Sequence, residues 1–506
     1  MGKQKSVVLV TVDCLRADHC GFMGYNRPTT PFLDSLARES FVFPAAIVAG
    51  APTYYSFPAI LASRYPLALG RDLLGLAPAE PSLATVLKQA GYATASFGAA
   101  NAYISARFGY DHGFDMFRDF LDAEPAPLSG GNALVAPGGW ASRLNRKLQE
   151  IRPATGSLGA VYDELYFQYC QRLASPAVKS LDTLRRFPAA DVMVDQARAW
   201  IASLGEGPFF LWLHLMDPHG PYYPTEKALD LMGSGPVTPF RARYLNSYWN
   251  RSDLGPKRLA RHRDKVVALY DAGIRWVDAQ MARFIDALRR FNRWDDCVFA
   301  FTADHGEEFL DHGGRYHPPS QLREEMIRVP LLLRVPGAEK RELPTFPFSL
   351  LHLAPTLLDA VQAPVPAEFR GRSYWPQVLQ GASIDQPAIS ECVAGCTNPF
   401  RPDHRMGPRV LAVREARFKL VLHFDPSAEN LYDLEADPRE QTPVPVSAQK
   451  PVRRRLLEIA CEHLRRSIAE RDGGARLQTR LRELRLEWAR LSTPNLPQHE
   501  PELKET

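Results

Sequence analysis

Acids and histidines follow three apolar segments of this sequence, each at the point where the segment ends. Asp13 follows residues 7–12, His214, Asp217 and His219 follow residues 209–213, and Asp304 and His305 follow residues 297–303. Carboxylate oxygens and imidazole nitrogens bind divalent cations, and both groups also serve phosphate and sulfate ester chemistry. Acids or histidines after a single apolar segment are typical of polar residues that cap a strand. Three in one chain predict a metal or phosphate-type site.

The apolar segments alternate with helical patterns along the first two thirds of the chain. The patterns predict helices at residues 34–39, 82–90, 192–203 and 265–290 and strands at residues 7–12, 92–97, 208–215 and 296–302. Unbroken apolar strands separated by helices are typical of a parallel sheet that is covered on both faces. We therefore expect an α/β fold with a mostly parallel central sheet sandwiched by helices. Sites in such sheets form at the carboxyl ends of the strands.

Composition and charge exclude several classes of protein. The chain has 506 residues, of which 45% are hydrophobic and 23% charged, and its formal net charge is +4 at pH 7. The basic residues form short, scattered groups, so we expect no nucleic-acid partner. No apolar run approaches the roughly 18 residues of a membrane span, and Asp13 interrupts the first apolar stretch before it could act as a signal sequence. The seven cysteines form no CxxC pair, which predicts a reducing, cytoplasmic location.

Changes in composition and in secondary-structure pattern divide the sequence into regions. Residues 1–335 are predicted to form the larger domain, with an insertion at about residues 119–190 that contains the loop EPAPLSGGNALVAPGG followed by helical patterns. Residues 336–470 read as a smaller C-terminal α+β domain, with strand candidates at 409–413 and 418–424. Residues 471–506 read as a helical extension that ends in a loose, polar tail.

Several segments resemble, in order, the signatures of one known family. They include VVLVTVDCLRADHCGFMGY, FFLWLHLMDPHGPYYP, FTADHGEEFLDHG and ENLYDLEADPREQ. Over most of its length the chain resembles the sulfatase family of the alkaline phosphatase superfamily. The resemblance implies an alkaline-phosphatase-like fold with a smaller C-terminal domain. It also implies a hydrolase or transferase of sulfuric or phosphoric esters.

The resemblance assigns roles to five of the residues. Asp13, Asp304 and His305 would bind one divalent metal ion, and the imidazole ligand favours Mn²⁺ or Zn²⁺ slightly over Ca²⁺ or Mg²⁺. His219 and His317 would contact the non-bridging oxygens of the ester or its leaving group. For these two, the alternative is a histidine satisfied by local hydrogen bonds.

Two further histidines lie in the same segments. His214 is expected to pack in the core or to make a supporting hydrogen bond. His312 is a further candidate for the site.

The nucleophile segment departs from the family pattern. Sulfatases carry Cys or Ser in C/S-x-P-x-R, and this residue is converted to formylglycine. Here residues 51–66 contain no cysteine. Counting back from the Arg-Tyr-Pro that ends the segment selects Thr53, whereas matching the motif's proline selects Ser56 and places Ile60 at the arginine position. We therefore expect no formylglycine, with Thr53 as the nucleophile and Ser56 as the reserve candidate.

The departures leave the choice of ester open. The site also lacks the lysine that follows Phe-Gly in many sulfatases, and Asn101 stands nearby as a neutral donor. A threonine beside a cation resembles relatives that transfer phosphoglycerol or phosphoethanolamine groups, so the chemistry favours phosphorus esters. The expected substrate is a small-molecule, glycan or lipid ester, and the chain is a possible homo-oligomer. The alternative is a catalytically degenerate protein that binds an anionic ligand or a protein partner.

Overall fold

The computed structural model describes residues 4–121, 157–172 and 180–467, except the single residues 72, 234, 236, 320, 385, 426 and 446. Much of the predicted insertion and all of the predicted extension at 471–506 lie outside the described residues. The proposed domain boundaries therefore stay predictions.

The described residues contain sixteen strands and fourteen α-helices. The strands are β1 (Ser6–Val12), β2 (Phe41–Val42), β3 (Ala46–Ile47), β4 (Ala93–Gly98), β5 (Met116–Arg118), β6 (Phe209–Leu215), β7 (Cys297–Ala303), β8 (Glu308–Phe309), β9 (Arg315–Tyr316), β10 (Arg328–Val329), β11 (Leu331–Arg334), β12 (Phe348–Ser349), β13 (Ala388–Val393), β14 (Arg409–Glu415), β15 (Phe418–Phe424) and β16 (Ser427–Asp433). The helices are α1 (Pro31–Ala37), α2 (Thr53–Ala62), α3 (Leu83–Gln89), α4 (Ser157–Arg172), α5 (Ala190–Ser203), α6 (Glu226–Leu231), α7 (Pro239–Trp249), α8 (Pro256–Leu259), α9 (Arg263–Arg290), α10 (Glu324–Ile327), α11 (Leu353–Ala360), α12 (Trp375–Gln380), α13 (Pro402–Arg405) and α14 (Lys450–Arg466).

The central sheet has seven strands in the order β2-β11-β7-β1-β6-β4-β5. Neighbouring strands from β7 to β5 are parallel, whereas β11 runs antiparallel to both β7 and β2. Strand β1 lies at the centre, and all of its residues are buried, as its unbroken apolar run predicts. The predicted mostly parallel sheet is confirmed.

The register of the sheet aligns the three strand ends that the sequence singled out. Val12 pairs with Ala303 of β7 and with Leu215 of β6. Asp13 and Asp304 follow directly, so both acids leave the sheet at the same level. The fold thereby converts a sequence pattern into a spatial cluster.

Two groups of helices flank the sheet. Helices α1 and α5 pack on α9, and α2, α3 and α11 pack on one another. Helix α1 begins three residues before its predicted start because Pro31 occupies the first turn, where its missing N–H would have no helical partner anyway. All ten side chains of α2 are buried, which is typical of a helix that is apolar all round.

Strands β13 to β16 form a separate antiparallel sheet, and α14 packs against β14 and β15. Alternate residues such as Leu411 and Val413 of β14 and Leu420 of β15 form its apolar core with Leu456 of α14. The predicted smaller α+β region is confirmed. The remaining strands form a three-stranded sheet, β10-β3-β12, and a two-stranded sheet, β8-β9.

Two further features of the described residues concern membrane spans and cysteines. Within the described part of the chain, no helix combines the length and apolar character needed to cross a bilayer. The seven cysteines, all of which lie in described segments, are free thiols. None of them forms a disulfide bond with another.

Candidate active site

Asp13 follows β1 and is completely buried. Its Oδ2 accepts a hydrogen bond of 2.8 Å from Asn101 Nδ2, and its Oδ1 accepts one of 3.0 Å from the Cys14 thiol. The Nε2 atoms of His214 and His305 each lie 3.5 Å from a carboxylate oxygen of Asp13. The acid is therefore fixed in position with an imidazole next to each of its oxygens.

Helix α2 brings Thr53 to this acid. Thr53 is the first residue of the helix, and its Oγ1 lies 3.4 Å from Asp13 Oδ2 and 3.2 Å from His305 Nε2. The amino end of a helix carries partial positive charge, which suits an anionic ester beside this hydroxyl. The predicted nucleophile thus lies between two of the predicted metal ligands.

Ser56, the reserve candidate, lies one turn later on α2 and makes a different contact. Its Oγ donates a hydrogen bond of 2.6 Å to the main-chain carbonyl of Asp304, and its side chain is fully buried. This bond ties the end of β7 to α2. The geometry favours Thr53 over Ser56 as the nucleophile.

Asp304 and His305 follow β7, and both are fully buried. Gly306 allows the chain to pass close to α10, because a Cβ at this position would lie 1.8 Å from the Glu325 carbonyl oxygen. His305 Nδ1 donates a hydrogen bond of 2.8 Å to the Gly306 carbonyl. Burial lowers the pKa of His305 to about 4, so the ring is neutral at pH 7 and its Nε2 offers the lone pair that metal binding requires.

His214 both packs and makes a supporting hydrogen bond, as expected. Its ring lies edge-on to Phe57 with centroids 5.2 Å apart, and its Nδ1 lies 3.0 Å from Thr11 Oγ1. The structure adds a third feature. Ligand atoms of Asp13, His214 and Asp304 all lie within 4.8 Å of one another.

Asp13 and Asp304 share one buried space, and no lysine or arginine of the described segments pairs with either. Burial and the charge of Asp13 raise the pKa of Asp304 to about 8. Burial also acts to raise the pKa of Asp13, but the charges of His219, His214 and His305 outweigh it and hold that pKa well below its usual range.

Two buried atoms in this space are without a hydrogen bond in the described residues, Asp304 Oδ2 and His214 Nε2. A buried polar atom without a partner is costly, and a bound ligand can supply the missing contact. A divalent cation held by Asp13, Asp304 and His305 would neutralise both carboxylates and use Asp304 Oδ2. The residues therefore fit the predicted metal ion.

His219 and His317 lie together beside the buried acids. Their ring centroids are 5.1 Å apart, and the His317 ring lies 4.8 Å from that of His305. Burial lowers the pKa of His219. For His317 the negative charge of Glu307 outweighs burial and raises the pKa. The structure thus brings both predicted histidines to the site.

The loop that carries His219 is held by Arg185. Its guanidinium donates a hydrogen bond of 2.9 Å to Asp217 Oδ1 and one of 3.0 Å to the Tyr223 carbonyl. Asp217, which the strand-end pattern grouped with the site residues, is therefore paired with an arginine. Its role is to anchor the loop.

Cys14 and Glu307 are site residues that the sequence analysis did not select. Cys14 Sγ lies 3.3 Å from His317 Nδ1, and Glu307 Oε2 lies 3.3 Å from the same nitrogen. Each residue is within two positions of a predicted metal ligand in the sequence. That proximity is the signal in the sequence that could have selected them. The contact between Cys14 and His317 joins residues 303 positions apart, so it could not be read from local spacing.

Asn101 and His312 differ from their expected roles. The Asn101 amide donates to Asp13, so it supports the acid. His312 belongs to a separate cluster, in which its Nδ1 lies 2.7 Å from Glu325 Oε1 and Glu308 is a neighbour. That cluster shares no residue with the acids after β1 and β7.

Two family models match the sequence. A model of the sulfatase family matches residues 5–363, and a model of the C-terminal region of N-sulphoglucosamine sulphohydrolase matches residues 315–464. The protein belongs to the sulfatase family. The predicted resemblance to this family is thereby confirmed.

Among its relatives, arylsulfatase K of Gallus gallus is 27% identical over 190 residues, which are 37% of this chain and 35% of that protein. Choline-sulfatase of Rhizobium meliloti (strain 1021) is 27% identical over 391 residues, which are 74% of this chain and 68% of that protein. The chain thus matches about a third of arylsulfatase K and about two thirds of choline-sulfatase.

The phosphonate monoester hydrolase of Agrobacterium radiobacter has the same fold. Its crystal structure superimposes with a TM-score of 0.61 at 19% identity, and the match covers 96% of each chain. At this identity the likeness concerns the fold alone. It confirms the expected alkaline-phosphatase-like architecture of the sulfatase family.

Proposed function

We propose that this protein is a metal-dependent hydrolase or transferase that acts on a sulfate or phosphate ester through Thr53, with a phosphorus ester favoured. The observation that carries the proposal is the position of Thr53 Oγ1, 3.4 Å from Asp13 Oδ2 and 3.2 Å from His305 Nε2. A hydroxyl at the amino end of a buried helix, between two metal-binding side chains, is placed to attack an ester.

Asp13, Asp304 and His305 would hold the cation. When bound, a divalent metal ion lowers the pKa of a nearby hydroxyl and stabilises charge on the non-bridging oxygens of the ester. The mixed oxygen and imidazole ligands favour Mn²⁺ or Zn²⁺ over Ca²⁺ or Mg²⁺.

The chain's own residues supply the remaining steps. Thr53 Oγ1 forms a bond to phosphorus or sulfur, the bond from that centre to the leaving oxygen breaks, and the hydroxyl proton passes to solvent. His219 and His317 face the same space, where they contact the non-bridging oxygens or give a proton to the leaving oxygen. Water or an acceptor alcohol then releases the group from Thr53.

The unmodified threonine supports a phosphorus ester. A phosphothreonine is open to attack by water or an alcohol, whereas a sulfothreonine lacks the hydrate through which formylglycine expels sulfate. The names of the sequence relatives favour sulfate instead. We include both esters, as small-molecule, glycan or lipid compounds, in the test below.

A second candidate function is the binding of an anionic ligand or a protein partner without turnover. It is favoured by one observation: in the described residues the polar contacts of Asp13 and Thr53 involve no lysine or arginine. The cationic groups that neutralise sulfate in the family are therefore missing from these contacts.

The experiment is a paired assay of purified protein with Mn²⁺, Zn²⁺, Mg²⁺ or Ca²⁺. An aryl sulfate, an aryl phosphate and an aryl phosphodiester are compared for the native protein, Thr53→Ala and Ser56→Ala. We expect metal-dependent turnover of a phosphorus ester that only Thr53→Ala abolishes. Sulfate turnover that survives Thr53→Ala and is lost in Ser56→Ala would contradict this nucleophile. Absence of turnover with metal bound would favour the binding function.

A further inference from the structure

We propose that Cys14, His219 and His317 form a second metal site, suited to a cation of intermediate softness such as Zn²⁺. The thiol and the two imidazoles have ligand atoms that all lie within 4.8 Å of one another. One sulfur and two nitrogens form a ligand set that Zn²⁺ accepts and that Mg²⁺ and Ca²⁺ do not favour. The set shares no residue with Asp13, Asp304 and His305, although ligand atoms of Cys14, Asp13 and His305 also lie within 4.8 Å of one another, so the two sites would adjoin. A second cation goes beyond the proposed function, which needs one.

The distance between two of the ligands fits the cation. Cys14 Sγ lies 3.3 Å from His317 Nδ1. In a tetrahedral zinc site with Zn–S of about 2.3 Å and Zn–N of about 2.0–2.1 Å, sulfur and nitrogen ligands are roughly 3.5 Å apart. The pair therefore needs only a small movement to bind the ion together.

His219 presents its free nitrogen to the same space. Its Nδ1 donates a hydrogen bond of 2.6 Å to the Gly220 carbonyl, which leaves the lone pair of the neutral ring on Nε2. The Phe187 ring packs edge-on against it, with centroids 5.2 Å apart. A backbone carbonyl that fixes the second nitrogen is the usual support of a metal-binding histidine.

The position of Cys14 is fixed by the turn after β1. The residue has a φ of 61°, in the left-handed region. The Tyr270 hydroxyl donates a hydrogen bond of 2.7 Å to its carbonyl and accepts one of 2.9 Å from the Arg16 amide. Since Asp13 and Cys14 are adjacent, one turn presents a carboxylate to the first site and a sulfur to the second.

Glu307 supplies an independent observation that points to a cation. The residue is completely buried, and its Oε1 is without a hydrogen bond in the described residues, while its Oε2 lies 3.3 Å from His317 Nδ1. A buried acceptor without a partner is costly. Glu307 would offer this oxygen to the cation or balance its charge.

The site is open on one side. The His317 side chain is 24% exposed, and His219 is also partly exposed. Three protein ligands with solvent access leave a coordination position for water or a substrate oxygen, as in catalytic zinc sites. There the cation would neutralise the ester in place of the missing lysine and arginine, and with the metal bound His219 and His317 would act on the ester through the cation and not as proton donors. This role rests on the proposed function, whereas the metal binding itself does not.

Metal counting tests the proposal on the full chain. The purified protein is loaded with excess Zn²⁺, freed of unbound metal and analysed by mass spectrometry for metal per chain. We expect two equivalents for the native protein and one for Cys14→Ser, His317→Ala or Asp304→Asn. Circular dichroism of each variant confirms folding, and the two substitutions in the second site guard against failure of either one.

Cobalt provides a readout of the ligand itself. The Co²⁺ derivative should show a thiolate-to-metal charge-transfer band that Cys14→Ser removes. Cys20→Ser is the matched control, because this buried thiol faces the Arg16 carbonyl at 3.7 Å and should leave the band unchanged. One equivalent of metal in the folded native protein, or a band that persists in Cys14→Ser, would overturn the proposal.

The two proposals fail in different ways. Two bound metals with the thiolate band and no turnover of any ester would keep the second site and reject the ester chemistry. Turnover through Thr53 with one bound metal and no thiolate band would keep the ester chemistry and reject the second site.

Discussion

Glu391 on β13 and Asp304 after β7 are both completely buried acids, yet their pKa values move in opposite directions. Burial acts to raise the pKa of Glu391, but the charges of Arg409 and His463 outweigh it and lower the pKa to about 2. Burial and the charge of Asp13 raise the pKa of Asp304 to about 8. The difference therefore comes from the neighbours that the fold supplies.

The contacts of the two acids explain this contrast. Glu391 Oε2 lies 3.0 Å from His463 Nε2 and 3.7 Å from an Arg409 nitrogen, and Oε1 accepts a hydrogen bond of 3.0 Å from the Leu67 amide. Asp304 has a second acid beside it. In the small sheet the chain itself neutralises the buried acid, whereas at the central sheet no lysine or arginine of the described residues pairs with the buried acids, an arrangement typical of functional sites.

The largest expected effect is on catalysis. Thr53→Ala should lower kcat of the ester reaction by roughly 10⁴-fold or more, because it removes the attacking oxygen. Steady-state kinetics with the preferred metal and ester measure this loss. Thr53→Ser keeps a hydroxyl at the same place and is the matched control, which should retain most of the activity. Full turnover in Thr53→Ala would reject Thr53 as the nucleophile.

The next effect concerns the acid that the chain neutralises. Glu391→Gln leaves Arg409 buried without its counter-charge, so we expect the free energy of unfolding to fall by about 3–5 kcal/mol. Urea denaturation at pH 7 measures the change. Glu458→Gln is the control, since this acid forms an exposed pair with Arg454 on α14 and should change stability little. Equal stability of the two variants would contradict the structural role of Glu391.

The stability difference of Glu391→Gln should also depend on pH. The pKa of Glu391 is about 2 in the folded protein and near 4.5 when unperturbed. A lowered folded pKa gives stabilisation that is present above pH 4.5 and is lost as the pH falls towards 2. The gap between the native protein and Glu391→Gln should therefore narrow over this range. A gap that stays constant would mean that Glu391 stabilises the fold without its charge.

The proximity of Asp13 and Asp304 could be predicted from the sequence because its signals are local. Asp13 and Asp304 directly follow apolar strands, and the parallel sheet brings such ends together. The contacts of Cys14 and Glu307 with His317 could not be predicted, since they depend on how a turn and a loop pack. The ion pair of Arg185 with Asp217 could not be predicted either. The position of Asp217 after a strand is the same in the sequence as that of a site residue.

Substitution of Asp304 in the metal-free protein should not lower the free energy of unfolding, in contrast to substitution of Glu391. Asp304→Asn removes one of two crowded carboxylates, so the metal-free variant should be at least as stable as the metal-free native protein. Mn²⁺ at about 100 times its Kd should then stabilise the native protein by about 2.7 kcal/mol and leave Asp304→Asn unchanged. Thermal or urea denaturation with and without Mn²⁺ measures both. A metal-free Asp304→Asn that is clearly less stable would show that Asp304 is a structural acid like Glu391.

The smallest expected effect concerns Ser56, which lies beside the candidate site and makes a structural hydrogen bond. Its hydroxyl supports the Asp304 carbonyl at 2.6 Å, so Ser56→Ala should lower the free energy of unfolding by about 1 kcal/mol. Turnover should change far less than in Thr53→Ala, because the hydroxyl donates to a backbone carbonyl and to none of the side-chain atoms proposed to bind metal. Ser203→Ala on the exposed end of α5 is the control and should be neutral in both measurements. A loss of turnover in Ser56→Ala as large as in Thr53→Ala would assign this serine to the reaction. The catalytic part of α2 would then include Ser56 as well as Thr53.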